Sequence, residues 1–145
     1  NVEVEARGVE GEMSLALSDF LTVDLAVTLQ ETRDLKEKRD LFSRPEKMFS
    51  GALDWRSPDD LLAMNLGFRY VGSRTDEGLP LGVSRPSPSF TVWDLASTFK
   101  VEDDWDLHLR IENLFDKDYT EMVDWGGNPY GTFGRSAFLG VTWRY

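Results

Sequence analysis

The chain has 145 residues, room for one ordinary domain, and 41% of them are hydrophobic, with nine Phe, five Trp and four Tyr, which is no disordered composition. Its 16 basic and 26 acidic side chains leave a net charge of −10, so there is no basic footprint for a nucleic-acid partner. Cysteine is absent, which excludes disulfides, thiol catalysis and cysteine-ligated metals, and no apolar run of about 18 residues offers a transmembrane helix.

The first residues, Asn1-Val2-Glu3-Val4-Glu5, are acidic and form no signal peptide, so the chain is expected to be either not exported or a mature or truncated piece. Period-two alternation then recurs along the chain. Val9, Gly11, Met13, Leu15 and Leu17 alternate with Glu10, Glu12, Ser14, Ala16 and Ser18. Leu21, Val23, Leu25, Val27 and Leu29 alternate with Thr22, Asp24, Ala26, Thr28 and Gln30. The same spacing places Phe49 to Trp55, Leu62 to Tyr70, Trp93 to Phe99 and Trp105 to Ile111 on strands. A last strand runs from Ser136 to Tyr145, with Ala137, Leu139, Val141, Trp143 and Tyr145 on one face. Each segment has one apolar face, and none repeats at the helical spacing of i, i+3, i+4 and i+7.

The connections alternate in length. Ser18-Asp19-Phe20, Arg56-Ser57-Pro58-Asp59-Asp60 and Val101-Glu102-Asp103-Asp104 are short turns, whereas roughly 31–45, 71–89 and 113–135 are long. In an antiparallel meander this places all short turns at one end and all long loops at the other, the plan of outer-membrane barrels. Strands of about ten residues, tilted by about 40°, span about 25 Å, the height of a lipid-facing band. Trp55, Tyr70, Trp93, Trp105, Trp143 and Tyr145 sit near strand ends, where an interfacial girdle belongs. The opposite faces carry Asp24, Asp54, Asn65, Arg69, Asp94, His108, Arg110, Glu112 and Arg144, which suit a wet or plugged lumen better than a dry core. The expected fold class is all-β: an antiparallel up-and-down meander of about seven strands, part of a transmembrane barrel. The competing reading is a soluble β-sandwich whose apolar face points into a core.

Two stretches add a resemblance. Ile111-Glu112-Asn113-Leu114-Phe115-Asp116-Lys117-Asp118-Tyr119 and the pair Gly134-Arg135 before the terminal strand together resemble the carboxyl end of TonB-dependent outer-membrane receptors. Gly140-x-x-Trp143-x-Tyr145 resembles the signal read by the barrel assembly machinery; Tyr145 stands where Phe is more usual, and Phe138 where a polar residue is. Gly8-Val9-Glu10, Arg44-Pro45, Phe68-Arg69-Tyr70-Val71-Gly72 and Trp93-Asp94-Leu95 match weaker motifs, so the resemblance covers essentially all of 1–145. It implies a barrel of about 22 strands around a globular plug, of which residues 1–145 would be the carboxyl-terminal portion, without the plug, the TonB box or the earlier strands. The implied partners are the rest of the barrel and the plug, the TonB complex through that plug, the barrel assembly machinery, outer-membrane lipid and lipopolysaccharide, and a metal-chelate ligand.

The implied function is energised uptake, most often of a ferric siderophore, with a corrinoid (vitamin B12) or other metal chelate as the alternative. Two further alternatives are a split-barrel interaction segment and a soluble β-sandwich binding module. No enzyme is expected, and neither a cofactor nor a resident metal. His108, the only histidine, has no second histidine to ligate a metal and no nucleophile-acid arrangement around it, and reads as a lumen-lining polar residue. Asp116-Lys117-Asp118 lacks the rest of a calcium loop, and Asn113 and Asp116 read as residues that fix the turn after the sixth strand. The long loops are the expected ligand surface. Tyr119, Trp125, Tyr130 and Arg135 in or beside the last loop suit a planar chelate, and Arg74 and Arg85 in the middle loop suit an anionic one. The competing reading is that these aromatic residues stabilise the loop or meet lipopolysaccharide. The first loop, Glu31 to Arg44, mixes both signs of charge and reads as a solvated loop or an extended hairpin.

Overall fold

The structure, a computed structural model, describes residues 3–78, 83–124, 126 and 128–145. In chain order the strands are β1 (Val4–Ser18), β2 (Leu21–Asp34), β3 (Arg39–Asp40), β4 (Lys47–Arg56), β5 (Leu62–Val71), β6 (Arg74–Gly78), β7 (Val83–Ser87), β8 (Phe90–Glu102), β9 (Trp105–Glu112), β10 (Thr120–Val123), β11 (Pro129–Gly131) and β12 (Ser136–Trp143). Seven long strands make one antiparallel sheet in the order β1-β2-β4-β5-β8-β9-β12, with β3 added beside β2. The ribbons β6-β7 and β10-β11 stand apart from that path.

The register carries the amphipathic pattern across every pair. Leu15 lies opposite Val23, Val23 opposite Leu53, Leu53 opposite Leu66, Leu66 opposite Leu95, Leu95 opposite Ile111, and Ile111 opposite Ala137. One residue along, Thr22, Asp54, Asn65, Ala96, Arg110 and Phe138 form the next row. Slippage of any strand by one residue would move its apolar set to the polar face, so the sequence pattern pins the pairing.

The apolar face is uncovered. Leu139 is 77% exposed, Val9 68% and Val141 61%, whereas Val71, Phe90 and Val92 are the only buried hydrophobic residues among those described. A sandwich would bury that face against a second sheet about 10 Å away. No second layer covers it among the described residues, and the β-sandwich reading is therefore set aside. A face of this kind is stable against hydrocarbon, where ladder hydrogen bonds satisfy the backbone and side chains need no protein partner.

Side-chain pairs cross the polar face. Asn65 donates to Asp54 at 2.7 Å. Asp60 takes Arg56 at 3.0 Å and Lys100 at 2.6 Å, and Arg144 reaches Asp106 at 2.7 Å. His108 lies on this face between the hydroxyls of Thr98 (3.1 Å) and Thr142 (2.9 Å). At one end of the sheet the short turns hold their shape by local bonds. Asp60 adopts φ 57°, its N–H donates to the Ser57 carbonyl, and the Leu62 N–H donates to Ser57 Oγ.

The long connections are less irregular than the hydrophobic pattern suggests. β1 and β2 pair from Val4 opposite Asp34 onward, well beyond the predicted limits at Val9 and Gln30, and β3 returns along the β2 extension. The middle and last connections hold the hairpins β6-β7 and β10-β11. The inward side chains of β6-β7, Arg74, Asp76 and Ser87, are charged or hydroxylated, so that hairpin gives no apolar alternation.

Candidate functional site

The long-loop end is held together by one carboxylate. In β6, Arg74 and Asp76 share a face and turn inward, and only 5% and 2% of their side-chain surface is exposed. Asp76 accepts from Arg74 Nε at 3.1 Å and from Ser43 Oγ of the first loop at 2.7 Å, both on Oδ1. Its Oδ2 accepts from Ser87 Oγ, at the end of β7. The other arm of the Arg74 guanidinium donates to the Glu121 carbonyl in β10. The Ser43 N–H donates to the Thr75 carbonyl at 2.7 Å. Burial pushes the Asp76 carboxyl up, but the Ser87 and Ser43 hydroxyls and the Arg74 guanidinium outweigh it and hold the group below its ordinary value.

The last connection is fixed at both ends by its own motif. Asn113, 4% exposed, adopts φ 51°, a left-handed conformation that Asn tolerates better than most residues. Its N–H donates to Asp94, its amide nitrogen donates to the Lys117 carbonyl at 3.0 Å, and its amide oxygen accepts from the Lys117 N–H at 2.8 Å. Leu114 N–H donates to the Trp93 carbonyl, and Phe115, 68% exposed, meets the Trp93 ring edge-on at 6.2 Å. Asp116, at φ 53°, accepts from the Arg135 N–H at 2.8 Å. A Cβ on Gly134 would stand 3.0 Å from that carboxylate oxygen. The two halves of the motif thus meet where β9 ends and β12 begins.

Between those ends the loop folds back over the polar face. Tyr119 packs on Phe90 with ring centroids 4.6 Å apart, against the small core of Val71, Phe90 and Val92. The guanidinium of Arg69 lies 5.3 Å from the Phe90 centroid and pairs with Glu121 at 2.5 Å. Thr132 Oγ1 donates to the Tyr119 carbonyl at 2.8 Å. Burial, and then the Glu121 charge, raise the Tyr119 phenol above its ordinary value, so it stays a neutral hydroxyl. A cavity of about 380 Å³ lies under the loop, lined by Arg69, Asp94, Tyr119, Glu121 and Phe133 among others. A cleft of about 520 Å³, with Asp40, Arg44, Glu46 and Pro88 on its walls, separates the first loop from the β6-β7 hairpin.

The expected ligand residues divide. Arg74 and Tyr119 are drawn into the same knot, both beside Glu121, and Arg74 spends its hydrogen bonds inside the protein. Arg85 lies opposite Asp76 in the hairpin, and its Nε is buried without a hydrogen-bond partner among the described residues. Tyr130, 58% exposed, and Arg135, also exposed, stand apart from that knot. Trp125 lies outside the described residues. The sequence reading did not single out Ser43, Asp76, Ser87 or Glu121. The available signal was Arg74-x-Asp76, a polar alternation in place of an apolar one. At the opposite end Trp143 stacks on Trp105 at 5.6 Å and has the Tyr145 ring tilted beside it, also at 5.6 Å, while a Cβ on Gly140 would make ordinary contact with His108.

The family model "TonB dependent receptor-like, beta-barrel" matches residues 1–114. The chain belongs to the TonB-dependent receptor β-barrel family. Among curated relatives, the vitamin B12 transporter BtuB of Vibrio vulnificus is 28% identical over 98% of this chain and 22% of its own length. The iron-regulated outer membrane virulence protein of Vibrio cholerae is 24% identical over 96% of this chain and 21% of its own length. The chain therefore spans about a fifth of the length of the relatives it matches. The ferripyoverdine receptor of the outer membrane of Pseudomonas aeruginosa, solved with ferripyoverdine bound, superposes with a TM-score of 0.85 at 17% identity, over 98% of this chain and 20% of that one. The siderophore receptor PiuA of Acinetobacter baumannii superposes at 0.81 with 18% identity, over 99% of this chain and 22% of that one. In this receptor family the uncovered apolar face is the lipid-facing wall of an outer-membrane barrel, and the knotted loops lie at one rim of it.

Proposed function

We propose that residues 1–145 form the carboxyl-terminal part of the barrel wall of an energised uptake receptor, and that the receptor's ligand is a ferric siderophore. The observation that carries this reading is the seven-strand wall with its apolar face uncovered and a folded loop cap at one end. Such a wall supplies a path and a capture surface, which fits transport. The plug would fill the polar side, where the paired carboxylates and guanidinium groups offer hydrogen bonds rather than an apolar seat. The TonB complex would act on the plug. The aromatic end at Trp143 and Tyr145 fits a signal for the barrel assembly machinery, and the exposed wall fits contact with lipid and lipopolysaccharide. Arg85, Tyr130 and Arg135 remain the ligand-facing candidates of the cap, and Trp125 remains one on its residue type alone, whereas Arg74 and Tyr119 would act by holding its shape.

A corrinoid is the second reading, favoured by the 28% identity to a vitamin B12 transporter. Intrinsic fluorescence titration of the full-length receptor in detergent separates the two. Saturable quenching by a ferric tris-catecholate or ferripyoverdine, with none by vitamin B12, is the expected result. The reverse selectivity would assign the corrinoid, and no response to any of the three would overturn the uptake reading.

A further inference from the structure

We propose that Asp76 is a latch that makes the three long connections of the rim move as one cap. This goes beyond the uptake reading, because it holds whatever the ligand is. Each connection could have been an independent flap, fixed only by its own two strands. Instead, each sends one group to a common point. The first loop sends the Ser43 hydroxyl to Oδ1 of Asp76, and the Ser43 N–H to the neighbouring Thr75 carbonyl. The middle connection supplies Asp76 itself, with the hydroxyl of Ser87 on Oδ2. The last connection is reached by Arg74, which holds Asp76 with one nitrogen and the Glu121 carbonyl with another. Glu121 in turn pairs with Arg69 of the wall.

The chemistry makes this point cooperative. A buried carboxylate must keep its donors, because each one lost leaves charge unsolvated. Pulling the last loop away takes the Glu121 carbonyl from Arg74, and frees Arg74 to leave Asp76. Asp76 is then short of donors and must draw in water, which competes with Ser43 for Oδ1. The donors share one dry site around a buried charge, so water admitted at one end reaches the groups at the other. The Asp40–Pro88 cleft of about 520 Å³ beside the knot gives the first loop and the hairpin room to separate.

Hydrogen exchange of the full-length receptor in lipid bilayers tests this directly. Ser43→Ala takes the first-loop hydroxyl from Asp76 and leaves the backbone bond to Thr75 in place. The latch predicts faster exchange in 41–46 and also in 120–123, the latter by severalfold, although residue 43 does not touch β10. Asp76→Asn speeds both segments by about tenfold or more, the scale of a lost charge-assisted hydrogen bond, and Ser43→Ala then adds nothing in that background. An effect of Ser43→Ala confined to the first loop would overturn the proposal. So would additivity of the two changes, or wild-type exchange at 120–123 in Asp76→Asn. Where Asp76→Asn fails to insert, Ser43→Ala alone decides.

Discussion

Asn113 does three jobs with one side chain: it accepts a left-handed backbone, donates to the Lys117 carbonyl and accepts from the Lys117 N–H. Alanine would keep none of them. Asn113→Ala is expected to lower the denaturant midpoint of the refolded full-length receptor, by a loss of about 2 kcal/mol or more. Asn113→Gly should recover only the backbone part. Two glycines make a contrasting pair. A Cβ at Gly8 would meet the Leu29 carbonyl oxygen at 2.7 Å, and backbone cannot step aside. A Cβ at Gly51 would meet the tips of Phe68 at 2.6 Å and Leu25 at 2.8 Å, which can swing into lipid, and its nearest backbone atom, the Asp24 carbonyl oxygen, is farther off at 3.0 Å. Gly8→Ala should therefore cost more than Gly51→Ala, within a range of about 1–3 kcal/mol for overpacking, and equal costs in the same unfolding assay would contradict that geometry. For Asp76 the pH sign follows from its lowered carboxyl value. Stability from the group is fully present above the ordinary carboxylate range and is lost as pH falls through its lowered native value. Exchange protection of the cap should thus hold from neutral pH through mild acid and fail only below about pH 4.

At the scale of elements, the wall was legible and the cap was not. Leu62 to Tyr70 reads as a strand because its apolar residues alternate, and the structure places β5 over Leu62–Val71. The hairpin β6-β7 has equally regular backbone, but its buried face is Arg74, Asp76 and Ser87. Hydrophobic alternation is the signal for burial, and a face buried through hydroxyls and charges emits none. For the same reason Arg74 was legible as a cation but not as a spent one, since the Glu121 carbonyl it binds, and the Ser43 hydroxyl that shares Asp76 with it, are distant in sequence. Asn113 and Asp116 were legible as turn formers, because Asn and Asp close local hydrogen bonds. The reach of Asp116 to Arg135 required the fold. That bond starts the terminal strand, so Asp116→Ala should speed exchange at the Arg135 amide and fray Ser136 and Ala137, while β9 keeps its protection.

The whole molecule is a wall segment with two open edges. The sheet runs from β1 to β12 without closing on itself, and each end strand has a neighbour on one side only. Open edges and an uncovered apolar face are liabilities in water and normal in a barrel completed by further strands. Charges on the polar side pair between strands, as Arg69 of β5 does with Glu121 of β10. One face of the sheet should point to lipid and the other to the lumen. The absence of cysteine from this chain makes the direct measurement simple. Single cysteines are placed in turn from Ala63 to Arg69 in the full-length receptor in outer membranes, with any other cysteines removed, and their reactivity to a water-soluble maleimide is compared with quenching of a coupled fluorophore by brominated lipid. The account predicts strict alternation: Met64, Leu66 and Phe68 positions quenched by lipid and unreactive in water, Ala63, Asn65 and Arg69 positions the reverse. Uniform reactivity along the strand, or lipid contact at Asn65 and Arg69, would contradict it.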